Sequence, residues 1–190
     1  GKVTDKSRIT KVIPIIKTFT NKNAKVILIS HLGRPKGKVN EKLSLKPIAP
    51  ILENLLNSKV HFSNQSYGST VIEQSNKIKS GEVLLLENIR FNKEEEKNEE
   101  TFAKNLSKIG DIYVNEAFSC SHRAHTSVCE ITKHISSYAG KLLREEVKVI
   151  HMLTNKAEKP VSCIIGGSKI STKIGILTNL AKKMQNIIIV

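Results

Sequence analysis

The sequence has no tryptophan, and aromatic residues make up only 4% of its 190 residues. Proteins that bind single-stranded nucleic acid stack bases on aromatic side chains, so this composition supplies few such platforms. No apolar run reaches the roughly 20 residues needed to span a bilayer, and residues 1–5 lack the apolar core of a signal peptide. If Gly1 is the true start, we expect a cytoplasmic protein. Because no initiator methionine is present, we expect the native chain to continue upstream, which leaves a targeting segment open.

Cysteine is also scarce, since the chain contains only Cys120, Cys129 and Cys163. An odd number of cysteines without metal-ligand spacing argues against a disulfide framework and against a zinc site. A reducing compartment is the simpler interpretation.

Negative charge is under-represented, because 31 Lys and Arg residues stand against 17 Asp and Glu residues and give a formal net charge of +14. Such a balance fits nucleic acid, acidic lipid or a small anionic ligand. The scarcity of aromatic side chains favours a small phosphorylated ligand. Many of the lysines, such as those beside the run Glu94-Glu95-Glu96, are nevertheless expected on solvated faces.

Short apolar, β-branched runs alternate with helical patterns along the chain. The predicted strands are residues 25–30, 83–86, 111–114, 161–165 and 187–190, with a weaker one at 59–62. Their continuous apolar character is typical of a buried parallel sheet with helices on both faces. The predicted helices are residues 8–20, 44–56 with a Ser44 cap, 99–109, 140–153 and 171–184. This alternation indicates right-handed βαβ crossovers and an α/β fold.

An arginine follows each of three predicted strands, at the point where the strand ends. These residues are Arg34, Arg90 and Arg123. Because the carboxyl ends of parallel strands meet at one edge of a sheet, we expect the three side chains to gather there. Guanidinium groups held so close repel one another unless an anion lies among them, and their planar donors match phosphate and carboxylate oxygens. The pattern therefore predicts a polyanionic small-molecule ligand.

Histidines lie in the same segments, at His31, His122 and His125. Two histidines three positions apart, without a neighbouring carboxylate or cysteine ligand set, are weak evidence for a metal site. We interpret these residues as positive ligands for phosphate and predict no metal site. A general base is the other role that the residues leave open.

A glycine-rich turn, Gly166-Gly167-Ser168, follows a predicted strand and opens a helix that carries Lys169 and Lys173. Backbone amides at a helix amino terminus and two lysines four positions apart are suited to bind phosphate. The spacing of a Walker A loop is absent, and paired glycines at such a turn are also typical of a simple tight bend.

Together these motifs resemble those of phosphoglycerate kinase in order and spacing, over essentially the whole chain. The matching segments are residues 31–35, 86–91, 95–98, 113–118, 122–125 and 166–174. The resemblance implies a two-domain glycolytic kinase, usually monomeric, with no nucleic-acid or membrane partner. Such an enzyme transfers a phosphoryl group reversibly between 1,3-bisphosphoglycerate and ADP, giving 3-phosphoglycerate and ATP. It also implies that Mg²⁺ arrives with the nucleotide and is not held by residues of this chain.

The resemblance also implies roles for particular residues. Substrate binding falls to Arg8, His31, Leu32, Gly33, Arg34, Arg90, His122 and Arg123. Nucleotide binding falls to Gly167, Lys169 and Lys173. Catalysis falls to Arg8 and Lys169, as cations beside the equatorial oxygens of the moving phosphoryl group. A protein base is not required, because nucleophile and leaving group are both anionic oxygens.

The implied organisation is a doubly wound, Rossmann-like substrate domain at residues 1–138 that lacks the family's first strand. An interdomain helix at 139–156 and the beginning of an α/β nucleotide-binding domain at 157–190 follow it. Most of the nucleotide site then lies beyond Val190, so we expect the chain alone to be inactive. In the complete enzyme, hinge closure is expected to bring the two lysines against the arginines and to exclude water.

Two departures from the family pattern stand near the third strand end, where Glu116 replaces an aspartate and Ser119-Cys120-Ser121 replace Gly-Thr-Ala. Both leave the basic residues in place. Two other functions remain open at this point. One is a basic nucleic-acid-binding module, motivated by the net charge. The other is a non-catalytic phosphoglycerate-binding remnant, motivated by both missing ends.

Overall fold

The computed structural model describes residues 3–155, 158–166 and 174–190, without the side chain of residue 176. The α-helices are α1 Ser7–Thr20, α2 Ala49–Leu56, α3 Ser69–Lys77, α4 Lys93–Glu96, α5 Glu100–Ser107, α6 Lys141–Asn155 and α7 Ile174–Ala181. The strands are β1 Val26–Leu28, β2 Val60–Ser63, β3 Val83–Leu86, β4 Ile112–Asn115, β5 Ser136–Ala139, β6 Ser162–Ile165 and β7 Asn186–Ile189. The chain divides into two compact units, Gly1–Leu143 and Arg144–Val190.

Every strand pairing in the described residues is parallel. In the first unit β3 lies between β1 and β2, and β4 pairs with β5 in a separate ladder. In the second unit β6 pairs with β7. Helices alternate with these strands along the chain, which confirms the predicted parallel α/β fold.

The core of the first unit is organised around β3, which is buried along its whole length. Side chains of a strand alternate between the two faces of the sheet. Val83 and Leu85 accordingly pack with apolar residues of α1 and α2. Leu84 and Leu86 pack on the other face with apolar residues of α3 and α5. Helices therefore cover both faces of this sheet, and burying each such leucine contributes about 1.5–3 kcal/mol.

The helix predicted at 44–56 begins later than expected, at Ala49, after a short 3-10 turn at Lys46–Ile48. Pro50 has no N–H with which to continue an α-helix that began at residue 44. The hydroxyl of Ser44, expected to cap the helix, accepts from Lys46 N over 3.2 Å at the start of the 3-10 turn and donates to Glu87 Oε2 over 2.6 Å. It does not cap α2 itself.

The apolar pattern missed three of the described α-helices and strands, namely α3, the single-turn helix α4 and β5. The helix α3 carries few apolar residues, of which Val71 is buried, and β5 has the sequence Ser-Ser-Tyr-Ala without a β-branched residue. The predicted strand at 111–114 exists as β4, yet Ile112 is 61% exposed. The expectation that this strand is buried was therefore wrong, because β5 is its only pairing partner among the described strands.

In the second unit, β6 and β7 carry exposed apolar side chains, including Ile164 and Ile189. The helix predicted at 171–184 is present at Ile174–Ala181, and its first three predicted residues lie outside the described residues. Within the described ranges, no helix is long and apolar enough to cross a membrane.

Candidate anion-binding site

The loop that follows β1 is fixed to the end of β3 by Asn88, which is fully buried. Its Nδ2 donates hydrogen bonds to Leu32 O over 2.8 Å and to Leu43 O over 2.9 Å. Its Oδ1 accepts from Arg90 N over 3.1 Å. One amide thereby joins three chain segments at the carboxyl edge of the sheet, and all of its bonding capacity is directed at backbone groups.

Glu87, the first residue after β3, holds the neighbouring segment in the same way. Its Oε2 accepts from Ser44 Oγ over 2.6 Å, and its Oε1 accepts from Leu45 N over 2.8 Å and from Asn88 N over 2.7 Å. The sequence motif contained Glu87 and Asn88, but no role was predicted for either. Their position directly after a fully apolar strand is the signal that could have identified them.

Glycines shape the loop after β1. Gly33 and Gly37 have φ values of +66° and +70°, in the region that side chains with a Cβ rarely adopt. Gly37 N donates to Arg90 O over 3.2 Å. A Cβ on Gly37 would lie 2.8 Å from the Cα of Lys93, so the close approach of the two backbones also requires glycine.

Arg90 lies at the centre of the site and is only 3% exposed. Its Nη1 donates to Gly33 O over 3.1 Å. Its Nε is 3.7 Å from Glu96 Oε1, beyond hydrogen-bond distance, and neither Nε nor Nη2 has a hydrogen-bond partner. A buried charge with unmade hydrogen bonds is costly, and an anion that accepts from both nitrogens would remove that cost.

The imidazole ring of His31 is half-buried and is affected by the charges of several basic residues. Burial first, and then the charges of Arg90, Arg123, His125 and Arg8, lower the pKa of His31 to about 4. The ring is therefore neutral at physiological pH. Arg8, Arg90, Arg123 and His125 come from three separate segments of the chain, and all of them act electrostatically on His31.

His122 and Arg123 follow β4 through a short turn. Arg123 Nε donates to His122 Nε2 over 3.2 Å, an arrangement that needs a neutral imidazole acceptor. The side chain of His125 is 13% exposed, and its Nδ1 lies 3.8 Å from Glu95 Oε1. Burial first, and then Arg90, lower the pKa of His125.

Glu95 fixes the segment that follows these basic residues. It is 2% exposed, and its carboxylate accepts from Ser127 N over 2.9 Å and from Ser127 Oγ over 2.6 Å. The backbone of Thr126 adds a bond to Glu95 O over 2.9 Å. Burial raises the pKa of Glu95, while the bonds from Ser127 act in the opposite direction. Sequence reasoning assigned Glu95 no role, because its partners lie about 30 positions away.

The structure thus brings together a set of six residues, which we call the basic cluster. Its members are Arg8, His31, Arg90, His122, Arg123 and His125. Leu32 and Gly33 lie in the adjoining loop and contribute backbone carbonyls to Asn88 and Arg90. Arg34 is exposed, and no hydrogen bond or ion pair in the described residues joins it to the cluster, so its role stays a prediction.

Three predicted nucleotide-binding residues, Gly167, Lys169 and Lys173, lie outside the described residues. The described part of the chain holds no group of three or more His, Cys, Asp or Glu side chains arranged for a metal ion. What the basic cluster can do chemically is bind an anion, because it contains three arginines and the buried guanidinium of Arg90 has donors without partners.

A sequence model described as phosphoglycerate kinase matches residues 1–190. A phosphoglycerate kinase of Orientia tsutsugamushi (strain Ikeda) is 50% identical over 189 residues. One of Leptospira biflexa is 46% identical over the same length. Each alignment covers 100% of this chain, but only 47% and 48% of the respective relative.

Solved structures show the same relation. The phosphoglycerate kinase of Coxiella burnetii superposes with a TM-score of 0.85 at 36% identity, covering 100% of this chain and 47% of that one. The enzyme of Pyrococcus horikoshii superposes with a TM-score of 0.89 at 27% identity, covering 100% and 48%. The chain therefore spans about half the length of the relatives that it matches.

Proposed function

Because the chain belongs to the phosphoglycerate kinase family, we propose that its basic cluster binds the phosphoglycerate substrate of a glycolytic kinase. The complete protein transfers a phosphoryl group reversibly between 1,3-bisphosphoglycerate and ADP, giving 3-phosphoglycerate and ATP. The observation that carries the proposal is Arg90, a 3% exposed guanidinium whose Nε and Nη2 have no hydrogen-bond partner. A carboxylate or phosphate oxygen supplies the missing acceptors.

The surroundings of Arg90 favour a small, multiply charged anion. Arg8, Arg123 and His125 act electrostatically on His31 together with Arg90, so positive charge converges from several segments on one place. Each guanidinium presents a planar fork of donors, which distinguishes it from a diffuse field of surface lysines. The substrate carries a carboxylate and one or two phosphates, and these groups provide several acceptors within one small molecule.

Phosphoryl transfer in this reaction needs positioning and charge neutralisation more than acid-base chemistry. We propose that Arg8 and Lys169 neutralise the equatorial oxygens of the moving phosphoryl group. Gly167, Lys169 and Lys173 bind the nucleotide phosphates, and Mg²⁺ arrives with ADP or ATP. Arg34 is assigned to the substrate on the family pattern alone.

The proposal also includes the division of the chain. Residues 1–138 form the phosphoglycerate-binding domain, 139–156 the interdomain helix, and 157–190 the start of the nucleotide-binding domain. We propose a cytoplasmic monomer without a membrane or nucleic-acid partner. Its turnover requires the remainder of the complete protein, in keeping with the half-length coverage of the relatives.

Titration of 3-phosphoglycerate into the complete protein by calorimetry tests the proposal. Arg90→Met keeps much of the apolar volume and removes the buried charge. We expect its affinity for 3-phosphoglycerate to fall by at least ~30-fold, since truncating one partner of a buried charge pair costs about 2–5 kcal/mol. Arg144→Met, at an exposed position of α6, is the matched control and should bind like the wild type.

The same samples separate the competing functions. A duplex oligonucleotide titrated at two salt concentrations would reveal a nucleic-acid-binding module, through an affinity that falls steeply with salt. That result, with no response to 3-phosphoglycerate, would overturn the proposal. Binding of 3-phosphoglycerate without turnover in a coupled kinase assay of the complete protein would instead identify a non-catalytic remnant.

A further inference from the structure

The residue before the first residue of helix α6 is Gly140, which has no side chain that could accept from the backbone N–H groups of the first turn. Glu116, far away in the sequence, supplies the acceptor. Its Oε2 accepts from Leu142 N over 2.9 Å, and a carboxylate is the favoured group at this positive end of a helix.

The strand register explains why these residues meet. The strands β4 and β5 are parallel, with Asn115 paired to Ala139, and Gly140 N donates to Asn115 O over 2.9 Å. The next residue of each strand therefore emerges at the same edge of the ladder. One of them is Glu116 and the other is Gly140.

Gly140 makes room for the carboxylate. Its φ is not in the left-handed region, so backbone conformation does not require glycine there. A Cβ at this position, however, would meet Glu116 Oε1, Cδ and Cγ well inside van der Waals contact. The Oε1 atom of Glu116 is buried without a hydrogen-bond partner. It occupies the space that a side chain at residue 140 would fill.

Glu116 also begins the turn that carries part of the basic cluster. Beyond it, Ala117 O accepts from Cys120 N over 2.9 Å and Cys120 O accepts from Arg123 N over 3.0 Å. Asn115 Oδ1 accepts from Ala117 N over 2.8 Å at the start of the same turn. Consecutive short turns thus connect the Glu116 backbone to Arg123.

We propose that Glu116 is a positioning residue, which joins the turn that carries His122 and Arg123 to the first turn of α6. This role rests on the proposed function, because it places two residues of the phosphoglycerate site. The arrangement also requires Gly140, since any side chain at that position would displace the carboxylate of Glu116. A change in the first turn of α6 then reaches the basic cluster through one side chain.

A double-mutant cycle in the complete protein tests this arrangement, with Glu116→Ala, Gly140→Ala and the pair combined. Affinity for 3-phosphoglycerate is measured by calorimetry, with ADP affinity as an internal reference. We expect each single variant to bind 3-phosphoglycerate about tenfold more weakly. This factor corresponds to the loss of about one hydrogen bond to a charged group. The ADP affinity should not change.

In the Glu116→Ala background, Gly140→Ala should cause no further loss, because the atoms that its Cβ would meet are gone. Glu116→Gln keeps the shape and the acceptor and should restore most of the affinity. Gly110→Ala is the matched glycine control, because a Cβ there meets only Ile27 Cδ1 at an ordinary 3.9 Å.

Additive effects of the two substitutions would overturn the coupling between Glu116 and Gly140. A lower melting temperature with unchanged 3-phosphoglycerate affinity in Glu116→Ala would overturn the positioning role and leave a purely structural cap. If the wild type itself fails to bind 3-phosphoglycerate, the proposed function fails, and the positioning role with it. These three results are distinguishable in one set of titrations.

Discussion

At the scale of single residues, His31 shows how the cluster affects its own members. Burial, together with the charges of Arg90, Arg123, His125 and Arg8, lowers its pKa to about 4. Protonation of His31 would add a further positive charge to those of the arginines. The ring is therefore neutral at physiological pH, and an anion bound among the cations would raise its pKa.

The shift of His31 has a consequence for acid stability. Between pH of about 4 and 6.5 the unfolded chain binds more protons than the folded chain, because the pKa of His31 is lower in the folded state. The free energy of unfolding contributed by this residue therefore falls as pH decreases through that window. We expect His31→Gln to reduce the slope of the free energy of unfolding against pH. The reduction should correspond to less than one proton in the difference bound by the unfolded and folded states. Urea unfolding at a series of pH values measures this slope.

His151, exposed on α6, is the control for that experiment, and His151→Gln should leave the slope of the wild type. Saturating 3-phosphoglycerate should reduce the difference between His31→Gln and wild type, because the anion offsets the surrounding charge. An unchanged slope in His31→Gln would show that the ring is not held neutral by its neighbours.

Asn88 is the residue on which the local geometry depends most, although it carries no charge. In Asn88→Asp the Nδ2 donor becomes an oxygen that faces the carbonyls of Leu32 and Leu43, both less than 3 Å away. We expect the free energy of unfolding to fall by about 3 kcal/mol, from two lost bonds and a buried repulsion. Chemical denaturation measures the loss. Asn64→Asp, at an exposed loop position, should change stability by less than ~0.5 kcal/mol, and an equally small effect at Asn88 would contradict its assigned role.

At the scale of elements, the loop at residues 31–37 depends on a close approach of two backbones. Gly37 and Gly68 both have positive φ, at +70° and +99°, but only Gly37 has a neighbour, Lys93, within 4 Å of a Cβ position. Gly68 has a ψ of −179°, in a region that is essentially restricted to glycine, so Gly68→Ala measures a cost of conformation without a contact. We expect it to cost about 1–3 kcal/mol, and Gly37→Ala, which adds the contact with Lys93, to cost at least ~1 kcal/mol more.

Thermal unfolding of these two variants gives the comparison, and 3-phosphoglycerate titration extends it to the site. Gly37→Ala should also weaken binding, because Gly37 N is bonded to Arg90 O. Equal destabilisation of the two variants would show that Lys93 yields to the added methyl group at little cost.

Elements with strong local patterns could be predicted from the sequence, and elements that depend on distant partners could not. The run Val83–Leu86 is apolar throughout and is a strand with the predicted limits. The segment Ser136–Ala139 pairs with β4. Of its four residues only Tyr138 favours β structure, and none is β-branched, so the apolar pattern gave no strand there.

The same distinction applies to the site. Arg34, Arg90 and Arg123 were singled out because each follows a predicted strand, and the carboxyl ends of parallel strands meet at one edge of a sheet. In the structure Arg90 and Arg123 both act on His31, although β4 lies in a separate ladder from β1 and β3. The binding role of all three stays a prediction.

Glu95 was given no role although it lies in the matching segment 95–98, since its partner Ser127 is distant in sequence. Arg8 was found only through the family resemblance, because the first turn of a helix gives no separate signal.

At the scale of the whole molecule, a formal charge of +14 does not by itself make a binding site. Charges on exposed lysines are screened over a Debye length of about 8 Å at physiological salt. The buried donors of Arg90 are screened much less, because solvent reaches only 3% of the residue. We therefore expect local geometry, and not the net charge, to determine affinity for phosphoglycerate.

Charge reversal far from the cluster tests this expectation. Lys17 and Lys22 are exposed at the carboxyl-terminal end of α1, and Lys17 lies ~14 Å along the helix axis from Arg8. Each Lys→Glu change lowers the net charge by two, so the double variant has +10 in place of +14. Calorimetry is carried out at ~0.15 M salt, where the Debye length is about 8 Å. Under this condition the affinity of the double variant for 3-phosphoglycerate should stay within about twofold of that of the wild type.

Arg123→Ala is the comparison, because it removes only one charge. It should nevertheless weaken binding by at least ~tenfold, since it removes hydrogen-bond donors from the basic cluster. A loss in the lysine variant as large as that in Arg123→Ala would mean that the overall field attracts the ligand. The buried guanidinium of Arg90 would then have to be explained in another way.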